Sequence, residues 1–174
     1  MAKNKKIETF TDLFFKAAEP SDFISSFIMG HLVIEFLLLR IIEISSPNLV
    51  TFAESLNHHK LIQLVSGLGL ISDDVKETLL SINGMRNKIV HDISFVPTVQ
   101  EYKNILLQAQ RAFSDMSDGI SQSLSEIEGK AQIEECAGFI FPELFIQVSY
   151  DLHGIYQDLG GDNDAFKNSA HRLM

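Results

Sequence analysis

The chain has a single cysteine, no tryptophan and only 4 prolines in 174 residues. One cysteine excludes an intramolecular disulfide and any cysteine-rich zinc site, so Cys136 reads as a small buried hydrophobe rather than a nucleophile. With few prolines and 10 glycines, most of the chain is free to be helical. Positive charge is also scarce: 14 Lys and Arg face 23 Asp and Glu, a net charge of -9. An acidic chain gains nothing from general attraction to a phosphate backbone. This argues against a broad DNA-binding face and leaves room only for a small local basic cleft. Long apolar runs are missing too. The basic start, Met1 to Lys6, is followed by no apolar stretch of the signal-peptide kind. The longest such run, Leu32 to Ile42, carries Glu35 and Arg40 and is too short for a membrane span. A soluble, cytoplasmic protein with no membrane contact is expected.

What is present is a globular composition, 45% hydrophobic with 13 Phe, in a length that suits one domain with a real core. Residues 1–20 read as a solvated tail and a short helix. Ile7, Phe10, Phe14 and Ala18 have helical spacing, and Pro20 ends that piece. Ser21-Asp22 is a plausible cap for a long helix running to about Ile44. That helix is apolar on nearly all sides from Phe27 onward, the mark of a central helix with neighbours all round. Ser45-Ser46-Pro47-Asn48 stops it.

A third helix is expected from about Val50 to Leu68, with Leu61, Leu64, Val65 and Leu68 as its stripe and Gly67 and Gly69 as its break. Ser72-Asp73-Asp74 opens the next, whose stripe is Val75, Leu79, Ile82, Met85 and Ile89. Gly84 lies inside it, which marks either a close helix approach or a tolerated defect. Thr98 and Glu101 have capping-box spacing ahead of Tyr102, Ile105, Leu106, Ala109, Ala112 and Phe113. Ser114 to Lys130 is polar, a weaker continuation or a loop. From Ala131 the chain is strongly apolar, and Pro142 is expected to kink a helix there. No repeat and no alternating strand pattern is present. The expected fold is all-α, a compact antiparallel helical bundle over residues 21–159, with 160–174 a flexible tail.

The chemistry lies in Met85-Arg86-Asn87-Lys88-Ile89-Val90-His91-Asp92, at the end of an amphipathic helix. Asn87 and His91 share a face, whereas Arg86 and His91 stand about 140° apart on an ideal helix. Arginine is long enough to swing across. A guanidinium forks onto phosphate oxygens and stays charged, and a histidine takes and gives protons near neutrality. Together they suit RNA cleavage without a metal: His91 would activate the 2'-OH or protonate the leaving oxygen, while Arg86 offsets charge on phosphorus. One histidine cannot serve as both acid and base at once, so a symmetric dimer cleft is required on this reading. The plainer alternative is that Arg86, Lys88 and His91 complement the macrodipole at a helix C-terminus.

Arg-Asn-x-x-x-His after an apolar helix resembles the R-x(4-6)-H signature of the HEPN superfamily. Leu61-Ile62-Gln63-Leu64-Val65-Ser66-Gly67-Leu68-Gly69-Leu70-Ile71-Ser72, then a helix, then the octapeptide, is similar to the MltR-like branch, with Val90 where that branch often has Ala. The resemblance covers about residues 22–92 and fades after 100. It implies a helical bundle that dimerises. Many members are endoribonucleases of toxin-antitoxin, abortive-infection or other defence systems, with the motif Arg and His as the active pair. By that match Arg86 and His91 are catalytic and Asn87 supports them, RNA is the substrate, and an antitoxin is a partner. The MltR-like branch, whose members need not cleave anything, implies instead a transcriptional regulator or protein-interaction module.

Other polar residues are fewer. His31 and Glu35, one turn apart on the long apolar helix, read first as a buried structural pair. In HEPN nucleases a polar residue from an earlier helix often joins the motif, which would let Glu35 or His31 orient His91. Neighbours on a helix point about 100° apart, so His58 and His59 read as surface histidines rather than a chelate. His153 and His171 show no partner spacing. Phe139 to Tyr150 reads as core or dimer interface. No cofactor and no metal is expected.

Overall fold

The computed structural model describes residues 7–162. Residues 1–6 of the expected tail over 1–7, most of the expected flexible segment 160–174, and His171 therefore lie outside the described residues. Eight α-helices form an all-α bundle, with no strand among the described residues: α1 (Phe10–Ala18), α2 (Phe23–Ser45), α3 (Val50–Glu54), α4 (His58–Gly67), α5 (Asp73–His91), α6 (Val99–Ala112), α7 (Gly119–Glu126) and α8 (Ile140–Asp158). Among the described residues no helix is long and apolar enough to cross a membrane.

The axis of the bundle is α2. Asp22 caps it by accepting from the Ser25 N–H at 2.9 Å. Its apolar residues then meet α1, α3, α4, α5 and α8 in turn, so Phe27, Ile34, Leu37, Leu38, Ile41 and Ile42 are wholly buried. It packs on α8 at Gly30, where an added Cβ would land on the ring of Phe145. Around that crossing Phe23, Phe27, Tyr102, Phe141 and Phe145 pack edge to face. The hydroxyl of Tyr102 donates to the Ile140 carbonyl at 2.8 Å, which satisfies both polar groups inside the core.

The caps expected at Ser72 and Thr98 are present, and α1 carries a further one. Thr98 and Glu101 make the full capping box of α6, Thr9 and Asp12 do the same for α1, and Ser72 accepts from the Val75 N–H at the start of α5. Gly69, at φ 72°, ends α4: Leu70 N–H bonds the Val65 carbonyl and Gly69 N–H bonds that of Ser66, the paired pattern of a Schellman cap.

Two expectations are corrected, and of the two readings left open for Gly84 one is removed. The third helix is two, because Asn57 accepts from the Lys60 N–H and starts α4 afresh at His58. Pro142 does not kink α8, because it falls in the first turn, where its missing N–H had no intrahelical partner to lose. Gly84 marks no close approach, since nothing lies within 4 Å of a Cβ added there. The polar stretch after Ser114 contains the short α7, whose first-turn N–H groups on Ile120 and Ser121 donate to the Asp115 carboxylate. Cys136 is half-buried, with its thiol pKa raised by burial, as an inert packing residue requires.

Candidate functional site: a histidine-lined pocket at the end of α5

The octapeptide divides by face. Met85 joins the core and Ile89 packs against it. Lys88 turns away to the Glu101 carboxylate of α6, at 2.9 Å, and to the ring of Phe95 in the loop before it. Asp92 caps the end of α5 and accepts from the backbone and hydroxyl of Ser94. Arg86, Asn87 and His91 are left on one side, and with Asn83 they line a pocket of about 420 Å³. The 83–87–91 spacing runs along one stripe of the helix, and Arg86 reaches into it from the side.

The rest of the lining comes from α2 and α4. His31 and Glu35 project from α2, and Asn57, His58 and His59 come from the start of α4. All the residues expected in the site are thus brought together: Arg86, His91, Asn87, Glu35 and His31 share one pocket.

His58 is the residue that sequence reasoning misplaced. It is not a surface histidine: it is 6% exposed and stacks on the ring of His31, with centroids 3.9 Å apart and planes at 30°. Its neighbour His59 remains exposed, as expected. The new helix start at Asn57 turns the His58 side chain inward, and the Asn57 cap was the available signal. Asn83 was missed as well. A buried asparagine one turn before Arg86 and Asn87, on a helix otherwise read by its apolar stripe, was its signature.

The charges in the pocket are sparsely paired. His31 Nε2 lies 3.7 Å and His58 Nδ1 lies 3.4 Å from the same Glu35 Oε2. Both distances lie beyond the usual range for a hydrogen bond of this kind. Burial, chiefly, holds the pKa of each ring at about 4. For His31 the neighbouring His58 and the Arg86 charge push the same way, against Glu35. For His58 the Arg86 charge adds to burial. Both imidazoles are therefore neutral at pH 7, and their contacts with Glu35 are not ion pairs.

Arg86 is half-buried and donates from Nη1 to Asn87 Oδ1 at 3.2 Å. Its Nε is buried without a hydrogen-bond partner, as are His31 Nδ1 and His58 Nε2. No carboxylate pairs with Arg86 among the described residues. His91 is exposed at the pocket edge, in the last turn of α5. The pocket thus offers one guanidinium without a carboxylate partner, two exposed imidazoles (His59 and His91), one carboxylate and two neutral buried imidazoles. Compared with protein-family models, curated proteins and solved structures, the chain matches none.

Proposed function

We propose that this pocket is the active site of a metal-independent, HEPN-like endoribonuclease of the toxin or defence kind. The observation that carries the proposal is that Arg86 and His91 open on one pocket while Arg86 has no carboxylate partner among the described residues. An unpaired guanidinium in a chain of net charge -9 is a local anion site in a surface that otherwise repels phosphate.

In the reaction proposed, Arg86 forks onto the scissile phosphate and Asn87 steadies it through its amide oxygen. Glu35 takes the proton of the ribose 2'-OH, whose oxygen forms a bond to phosphorus. The bond from phosphorus to the 5'-oxygen breaks, and protonated His91 supplies the proton to that oxygen. The products are a 2',3'-cyclic phosphate and a 5'-hydroxyl end. Acid and base then come from one chain, because Glu35 lies in the same pocket as His91. A dimer cleft ceases to be a chemical requirement, although a homodimer remains part of the HEPN-like reading.

The experiment is incubation of the purified protein with total cellular RNA in EDTA, wild type beside His91→Ala, with folding matched by circular dichroism. Discrete cleavage by the wild type alone is expected. Absence of cleavage, or equal cleavage by both proteins, overturns the proposal.

A second reading, a non-catalytic MltR-like regulator that binds a protein partner, is favoured by a different feature. Ile24, Ile28 and Leu32 recur every fourth residue along α2 and are 51%, 40% and 52% exposed. An apolar stripe of this kind on a central helix is a surface suited to a partner protein.

A further inference from the structure

On the wall of the pocket contributed by α2 and α4, two buried imidazoles take no part in the cleavage proposed above and flank its base, Glu35. His31, Glu35 and His58 each direct a donor atom to a common region, and these atoms all lie within 4.8 Å of one another. Both rings are more than nine-tenths buried. Each ring has only a long contact to Glu35 Oε2, at 3.7 and 3.4 Å. The shorter is a long, weak hydrogen bond and the longer is none. Both separations are close to the spacing of two ligands around one tetrahedral ion, which bonds of about 2.0–2.1 Å place about 3.3 Å apart.

We propose that His31, Glu35 and His58 form a three-ligand site for a divalent transition metal, Zn2+ foremost, on the α2–α4 side of the pocket. Two imidazoles and a carboxylate are a borderline donor set that suits Zn2+ or Co2+, whereas Mg2+ and Ca2+ demand oxygen ligands. Three protein ligands leave a coordination position for water or a ligand, the pattern of an exchangeable site rather than a closed structural one. Arg86, in the same pocket, works against a second cation, and the Glu35 charge offsets it. The expected site is one of moderate affinity that is loaded and stripped in solution.

The sequence pointed away from a metal because His58 and His59, as neighbours, cannot share an ion. The ligand set instead joins His58 to two residues of α2, and only the packing of α4 on α2 brings them together.

The site does not depend on the ribonuclease reading, so its test reads binding. The full-length chain is stripped with EDTA and dialysed, then titrated with Zn2+ by calorimetry and with Co2+ by visible absorption. One Zn2+ per chain and the intense visible bands of four-coordinate Co2+ are expected, with no response to Mg2+. Glu35→Gln, a near-isosteric change at a half-exposed side chain, should weaken Zn2+ binding by at least about tenfold. His58→Gln should do the same where circular dichroism shows it folded. His59→Ala and His91→Ala should bind as the wild type does. Failure of the wild type to bind Zn2+, or unchanged binding in Glu35→Gln, overturns the proposal. Binding that persists in His91→Ala separates it from any failure of RNA cleavage.

Discussion

His58 lies face to face with His31, their ring centroids 3.9 Å apart, and the two rings share a single carboxylate oxygen of Glu35. Burial and the Arg86 charge keep both rings neutral. This pair sets the character of the pocket: buried bases on one wall, an unpaired guanidinium and an exposed imidazole on the other.

If Arg86 and His91 cleave RNA, replacing either should reduce the single-turnover rate on an RNA substrate without loss of fold. His91→Ala removes a positioned proton donor, worth a factor of about 100 or more. Arg86→Lys keeps the charge and loses the fork, so a smaller fall is expected. A rate unchanged in both variants would remove the octapeptide from the chemistry.

Glu35 is assigned to proton transfer and also to metal binding, and it cannot do both at once. Zn2+ should therefore slow cleavage in wild-type protein at concentrations that match its calorimetric affinity, and EDTA should restore the rate. Acceleration by Zn2+ would show that Glu35 is not the base.

The neutral histidines make stability depend on pH. Their folded pKa, about 4, is depressed from an ordinary 6.5. Their contribution is therefore fully present above about pH 6.5 and is lost as pH falls toward 4, because the unfolded chain takes up protons that the folded chain refuses. Glu35 on α2, Arg86 and His91 on α5, and His59 on α4 line the same pocket and share in that balance. In EDTA, denaturation midpoints should drop between pH 6.5 and 5, above the ordinary carboxylate range. His58→Gln should flatten the slope by at most about 1.4 kcal/mol per pH unit. Equal slopes in both proteins would show that His58 titrates normally.

At Gly30, α2 leaves no room for a side chain against Phe145 of α8. Gly30→Ala would gain helix propensity and lose more by driving a methyl into the ring of Phe145. A net loss of roughly 1–3 kcal/mol is expected by urea denaturation. A stabilised variant would mean that the α2–α8 crossing yields easily.

Asn57 should be worth about 1 kcal/mol as the cap of α4, measured as Asn57→Ala, with Asn57→Gly costing only a few tenths. Because the cap sets where α4 begins, Asn57→Ala should also weaken Zn2+ binding through His58. Intact binding would show that the stack on His31, not the cap, positions that ring.

Much of this protein follows from local sequence rules. The stripe of α5, the face of α6, the cap at Asp22, the capping box at Thr98, the stop at Gly69 and the central place of α2 are legible because each depends on spacing within one helix or on a cap a few residues away. The same rules located Arg86, Asn87 and His91 and singled out His31 and Glu35 as polar intruders on an apolar helix. The sequence by itself therefore determined the fold class and half the lining of the pocket. Tertiary structure alone decided that the octapeptide faces the α2 residues, that His58 turns inward onto His31, and that Arg86 has no carboxylate partner among the described residues. The reason is physical: local patterns report which face of a helix is apolar, but not which polar residues of different helices will meet once those faces are buried together.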